Sequence, residues 1–200
     1  MSITVGVVSV LASLIIGGII GAIAGFYGGK IDNILMRFMD IILAIPSMLL
    51  AIAIAAALGG SLMNLMLAIS ISSIPSYARV VRGSVMTVKG VDFVEATRSV
   101  GASNRRLIFR HMLPNAMVAT LTFLPFILCS SITTLTSLDF LGFGLPLGSP
   151  SLGELLLQGK NNLQAPWLGI AAFLSVAVLL SLLIFIGEAV RDAFDPNKAV

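Results

Sequence analysis

Charged residues are nearly missing from five long stretches of this chain and crowded into the segments between them. The apolar runs cover about Ile3–Phe26, Phe38–Leu58, Leu62–Ala78, Ala116–Leu138 and Pro166–Gly187. A helix that crosses a bilayer needs about 20 mostly apolar residues, so each run reads as a full or slightly short span. Only 10% of the 200 residues are charged and 58% are hydrophobic, against roughly 25% charged in soluble domains. Such a chain cannot clothe itself in polar surface. The expected fold is all-α: one polytopic transmembrane helix bundle over residues 1–200. Pro46, Pro75 and Pro125 lie in or near spans, where each reads as a kink whose freed carbonyl neighbouring helices must satisfy. In the first span Gly21 and Gly25 form a small-xxx-small pair that lets another helix approach closely.

The segments between the runs are strongly asymmetric. Alternating sides groups residues 27–37, residues 79–115 and the tail from Glu188, and these hold all but Lys160 of the twelve Lys and Arg residues. This is the positive-inside pattern. It predicts a cytoplasmic loop and C-terminus with the N-terminus outside. No basic segment precedes the first apolar run as a secretory signal requires, so the expectation is that a further span stands upstream. The same bias accounts for the basic pI near 9.4 and leaves nothing for a nucleic-acid partner to explain. Cys129 is the only cysteine and His111 the only histidine, which excludes an internal disulfide and a metal-ligand cluster. No G-x-x-x-x-G-K-[ST] run is present, so no phosphate cradle is encoded. Catalytic triads and H-E-x-x-H arrangements are equally missing.

Residues 79–115 form the longest polar segment. Asp92, with Glu95 three residues on, is placed as the N-cap of a short helix over Phe93–Val100. Gly101 supplies its break, because glycine tolerates a left-handed backbone, and is read as a packing contact as well. Ser103 would cap a second helix carrying Arg105, Arg106, Leu107, Ile108 and Arg110, and Pro114 precedes the fourth span. Val94, Thr97, Arg98 and Gly101 share a face. A helix this short is marginal alone and needs a surface beneath it. Arg105, Arg106 and Arg110 are read as solvated or lipid-headgroup charges.

The sequence Glu95-Ala96-Thr97, Gly101 and Leu113-Pro114 resembles the EAA loop of membrane subunits of binding-protein-dependent ABC importers. Thr97 replaces the usual third-position alanine, and His111 stands where the pattern has isoleucine. Arg110–Asn115 is similar to the dipeptide and oligopeptide branch. So are Gly25–Gly29 with Asp32, Arg37, Asp40 and Ile45–Ser47, the Phe140–Gly144 run, and Arg191-Asp192-Ala193-Phe194-Asp195-Pro196. The resemblance implies a type I importer permease of the peptide branch. In that reading, residues 95–101 are a coupling helix that docks on a cytoplasmic ATPase, with Glu95, Ala96, Thr97, Gly101, Leu113 and Pro114 as coupling-loop residues. The implied partners are a sister permease, two ATPase subunits, an external solute-binding protein and the lipid bilayer. No cofactor is implied for this chain, since ATP is used by the partner. The other readings are a secondary transporter or channel subunit, a membrane scaffold, and a non-transporting fragment of a permease.

The remaining candidates have simple readings. Arg37 and Asp40 are an i,i+3 helix pair. Glu95 either caps its own helix or pairs with a basic group on a partner. Asp139 is a solvated helix end or a group facing substrate or binding protein. Glu188, Arg191 and Asp192 form an exposed helix end. Phe140, Phe143 and Trp167 fit an aromatic belt or a pathway constriction. Cys129 and Met112 are packing residues.

Overall fold

The computed structural model describes residues 1–146 and 148–193, the side chains of 118, 119 and 121 apart. Phe194, Asp195 and Pro196 of the C-terminal signature, and Lys198, lie outside the described residues. The described residues form helices α1 (Ser2–Tyr27), α2 (Gly29–Leu43), α3 (Ser47–Leu58), α4 (Leu62–Lys89), α5 (Asp92–Ser99) and α6 (Asn104–Arg106). A π-helical segment (Leu107–Met112) comes next, then α7 (Leu113–Leu121), α8 (Leu124–Phe140), α9 (Leu152–Asn161) and α10 (Pro166–Ala193), with no strand among them. The all-α expectation holds.

Each expected span is largely helical, but among the described helices only α1 and α10 are long and apolar enough to cross a membrane unaided. The second run is not one kinked helix. α2 stops at Leu43 and α3 starts at Ser47. Pro46 disfavours helical geometry in the residue before it and is itself extended at φ −51°, ψ 126°. The fourth run also breaks, at Phe123, and Pro125 sits in the first turn of α8, where its missing N–H costs no hydrogen bond. Pro75 does the opposite. α4 runs through it to Lys89, so Arg79–Lys89 is helix and not loop.

The chain divides into two compact units. One comprises residues 1–11, 46–72 and 123 onward. Its core gathers Val5, Ala51, Ala55, Leu65, Ala68, Ile69, Leu135 and Leu138. Ser70 Oγ donates to the Ser9 carbonyl at 3.2 Å, joining two helices in the way that polar side chains do where lipid offers no competitor. Asp139, expected at a solvated or substrate-facing helix end, is 3% exposed. It accepts from Ser151 Oγ at 2.6 Å and from the Leu145 amide at 2.8 Å. Ser151 Oγ also accepts the Glu154 amide at 3.1 Å as N-cap of α9. One buried carboxylate thus pins the return of the chain after α8. Its polar partners satisfy a group that would otherwise be costly to bury. Lys160 Nζ lies 5.0 Å from the Phe140 ring centroid, a cation–π distance, while Phe143 and Trp167 stay exposed.

The other unit comprises residues 12–45 and 73–122. Gly17, Gly21 and Gly25 recur every four residues, so they share one face of α1. That face receives the α4 backbone. A Cβ on Gly17 would fall 2.7 Å from Tyr77 Cβ, and one on Gly25 would fall 2.9 Å from the Arg82 carbonyl. The small-residue pair read from sequence therefore serves a contact within the chain. Lys89 Nζ donates to the Phe26 carbonyl at 2.6 Å, placing a cation at the C-terminal end of α1, where the helix dipole favours it.

Candidate functional site

α5 and the π segment after it are seated on the core of this second unit. Val94, Leu107, Ile108 and Met112 bury together with Ala22, Phe26, Val81, Val85 and Ala116. Val94 is the only fully buried residue of α5. Glu95, Ala96 and Phe93 therefore face outward, all exposed. Asp92 does not cap the helix. Val91 holds the N-cap position, no side chain bonds there, and Asp92 is the first helical residue, where its charge suits the helix dipole. Glu95 does not cap it either.

The C-terminal end of α5 agrees closely with the expectation. Gly101 takes φ +86°. Its amide donates to the Arg98 carbonyl at 2.9 Å and the Ala102 amide to the Thr97 carbonyl at 3.3 Å, the paired bonds of a Schellman motif. Gly101 is needed for its backbone alone within this chain, since a Cβ there would meet nothing within 4 Å. Ala102 then packs on the core. Ser103 caps as expected, Oγ accepting the Arg106 amide at 3.4 Å.

The second helix does not stay α-helical. After Arg106 the chain widens into the π segment Leu107–Met112, and α7 comes next with Pro114 in its first turn. Pro114 has no N–H to offer, and in an α-helix its ring would collide with the Arg110 carbonyl four residues back. A π turn across that point relieves the collision. Asn115 Nδ2 donates to the neighbouring His111 carbonyl at 2.5 Å.

Ala96, Thr97 and Gly101 come together. With Val100, Ala102, Arg106 and His111 they line an open depression of about 390 Å³. Thr97 and His111, the two departures from the resembled motif, share this one depression. Thr97 Oγ1 donates to the Phe93 carbonyl at 2.7 Å. Glu95 stands outside the depression. Leu113 turns to the core and Pro114 is exposed, so neither joins the same surface.

Sequence reasoning missed the ion pairs that brace this unit. Asp32 of α2 accepts both Arg82 Nε and Arg82 Nη2, and Asp40 accepts from Arg79. The expected Arg37–Asp40 pair gives way to this one, because Arg79 lies on a helix, not in a loop. The Arg79–Asp40 pair is exposed on both sides and contributes little. The Arg82 pair is mostly covered. Asp32 belongs to the charged first half of α2, outside the apolar runs. The hydrogen bonds from Arg82 hold its carboxyl below the usual carboxylate range. Asp32→Asn and Arg82→Gln are each expected to cost about 1–2 kcal/mol. The double variant should lose less than their sum, because neighbours in one bonded pair are not additive. Thermal unfolding of the four proteins in detergent checks this, and strict additivity would refute the brace.

Residues 17–200 match the family model described as a binding-protein-dependent transport system inner membrane component. The chain is 59% identical over 200 residues to the inner membrane ABC transporter permease protein YejE of Escherichia coli, covering 100% of this chain and 59% of that protein. It is 52% identical over 198 residues to the peptidoglycan transport system permease protein YejE of Agrobacterium fabrum, covering 99% and 52%. Against the glutathione transport system permease protein GsiD of Pectobacterium atrosepticum the identity is 38%, covering 98% and 66%. The chain thus spans about half to three-fifths of the length of the YejE relatives. An inward-facing structure of the MetNI methionine ABC transporter shares the fold, with a TM-score of 0.78 at 17% identity over 97% of this chain and 93% of that one. The chain belongs to the family of inner membrane components of binding-protein-dependent transport systems.

Proposed function

We propose that this chain is the membrane part of a permease subunit in a peptide-type ABC importer, and that α5 is its coupling helix. The seat of α5 carries the reading. One residue, Val94, anchors it to the core, while Phe93, Glu95, Ala96 and Val100 are offered outward, Val100 at 88% exposure. An exposed apolar side chain on a rigid support is what a partner groove needs. The charge bias between the apolar runs supports a cytoplasmic basic loop and C-terminus. In this reading ATP hydrolysis falls to separate ATPase subunits. Their closure would move the docked helix as a rigid body. A sister permease completes the pathway and an external binding protein delivers solute. The relatives are named for peptidoglycan, glutathione and dipeptide transport, which supports di- or oligopeptides and similar peptide-containing solutes as substrate.

The test uses the full-length permease with its partners. Gly101→Val forces a β-branched residue to φ +86°, a strained conformation that costs about 1–3 kcal/mol. Combined with Glu95→Ala, it is expected to cut both ATPase attachment and ATP-driven uptake about tenfold or more. Unchanged attachment and uptake would exclude α5 as the coupling element. Uptake that persists without ATP hydrolysis would favour a secondary transporter.

A further inference from the structure

A second depression lies on the other flank of the π segment. Ser103, Arg105, Arg106, Phe109 and Arg110 line about 390 Å³ of open space with no carboxylate among them. All five residues are exposed, Phe109 at 45%. The π turn explains the convergence. Its hydrogen bonds join residues five apart, where those of an α-helix join residues four apart. Arg105 and Arg110 are five apart, and Arg106 and Arg110 four apart, and all three line this one depression. Leu107, Ile108 and Met112 occupy the opposite side, in the core.

We propose that this depression binds the phosphate headgroup of an anionic phospholipid. Three like charges in one depression call for an anion. Guanidinium forks match phosphate oxygens in a bidentate manner. Phe109 selects the source. An aromatic ring exposed among arginines gains nothing from a free phosphate ion in water. Beside a headgroup it dips toward the acyl boundary while the arginines stay at phosphate level. The segment also runs directly into α7 and the apolar run from about Ala116 that the sequence offers as a span. Arg106 lines both this depression and the one beside α5. Lipid held here would therefore orient a side chain of the coupling surface.

The experiment is native mass spectrometry of the full-length permease complex in detergent, titrated with phosphatidylglycerol or phosphatidylcholine. The wild type is expected to retain phosphatidylglycerol preferentially. Arg105→Gln, Arg106→Gln and Arg110→Gln combined should reduce that retention about tenfold or more, since each basic residue adds to the attraction of an anionic surface. The three Lys replacements should keep part of it, since they keep the charge and lose the fork. Equal retention by the Gln variant and the wild type overturns the proposal. So does displacement of the lipid by millimolar inorganic phosphate, which would identify a free-anion site. Loss of the ATPase subunit from the Gln variant with lipid retention unchanged would assign the arginines to a protein partner instead. Should the triple variant fail to accumulate, Arg110→Gln and Phe109→Ser are read singly. Each is expected to weaken retention, and no change in either refutes the site.

Discussion

Gly21→Leu is expected to abolish accumulation of folded protein in the membrane. Glycine at this position is required by distance and not by backbone angle. A Cβ on Gly21 would collide with the Ala78 carbonyl, lie 2.9 Å from the Arg82 amide nitrogen and 3.0 Å from Val81 Cβ. Ala78 and Arg82 are four apart on α4, so the new side chain would press on one turn of that helix's own hydrogen-bond ladder. A flexible side chain can yield to such a contact, whereas a helix backbone cannot. In lipid there is no hydrophobic drive to hold two helices together once close packing is lost. Overpacking costs typically 1–3 kcal/mol where side chains can adjust, and more than about 3 kcal/mol is expected here. Gly83→Leu is the matched control, because that position on α4 is open, with nothing within 4 Å of a Cβ. Size-exclusion profiles of the two variants in mild detergent, measured against wild type, decide the matter. Equal yields and equal thermal midpoints for both would show that the glycine face is not needed.

This contact was half legible in the sequence. The spacing of Gly21 and Gly25 announces a close helix approach, but it does not name the partner helix. The three span prolines were harder to read. Each is an apolar run's proline in sequence, yet Pro46 ends up between two helices, Pro125 begins a helix, and Pro75 sits inside one. Tertiary packing decides among these outcomes, and it is set by residues far along the chain. Pro75 is buried in a stretch of α4 braced by the glycines of α1. The charged segments misled for a related reason. Arg79 and Arg82 look like loop residues until Asp40 and Asp32 are seen opposite them. Asp139 looks like a solvated terminus until Ser151 is brought to it from twelve residues on. The Ser151-x-x-Glu154 spacing, not used in reading the sequence, is the local signal that could have found the cap of α9. Local chemistry read well wherever it was complete in itself. Gly101 and Ser103 behave as their residue types require, because a left-handed turn and an N-cap depend only on near neighbours.

Val94→Asp is expected to disable the loop while leaving the remainder of the chain folded. α5 has eight residues, too few to persist as an isolated helix in water. Its geometry is held by the Schellman bonds at Gly101 and Ala102 and by Val94, which is 3% exposed among Leu107, Ile108 and Met112. An aspartate there must either bury a charge at a cost of several kcal/mol or leave the core and take α5 with it. The second course is cheaper, since only a short segment has to lift. Arg98, Arg105 and Arg106 are exposed already, but trypsin cuts only where the backbone can open locally, so faster cleavage at these sites is the direct sign. Trp167, the single tryptophan, reports the unit that contains α10, and its emission should not change. With the partners present, ATP-driven uptake should fall about a hundredfold, because the coupling surface depends on a seat that no longer exists. Val94→Ile should preserve both uptake and trypsin resistance, since it keeps the apolar anchor. If Val94→Asp keeps wild-type trypsin resistance and uptake, the loop is not held through Val94. If cleavage rises while uptake persists, α5 is seated as described but is not the element through which ATP hydrolysis reaches the helices.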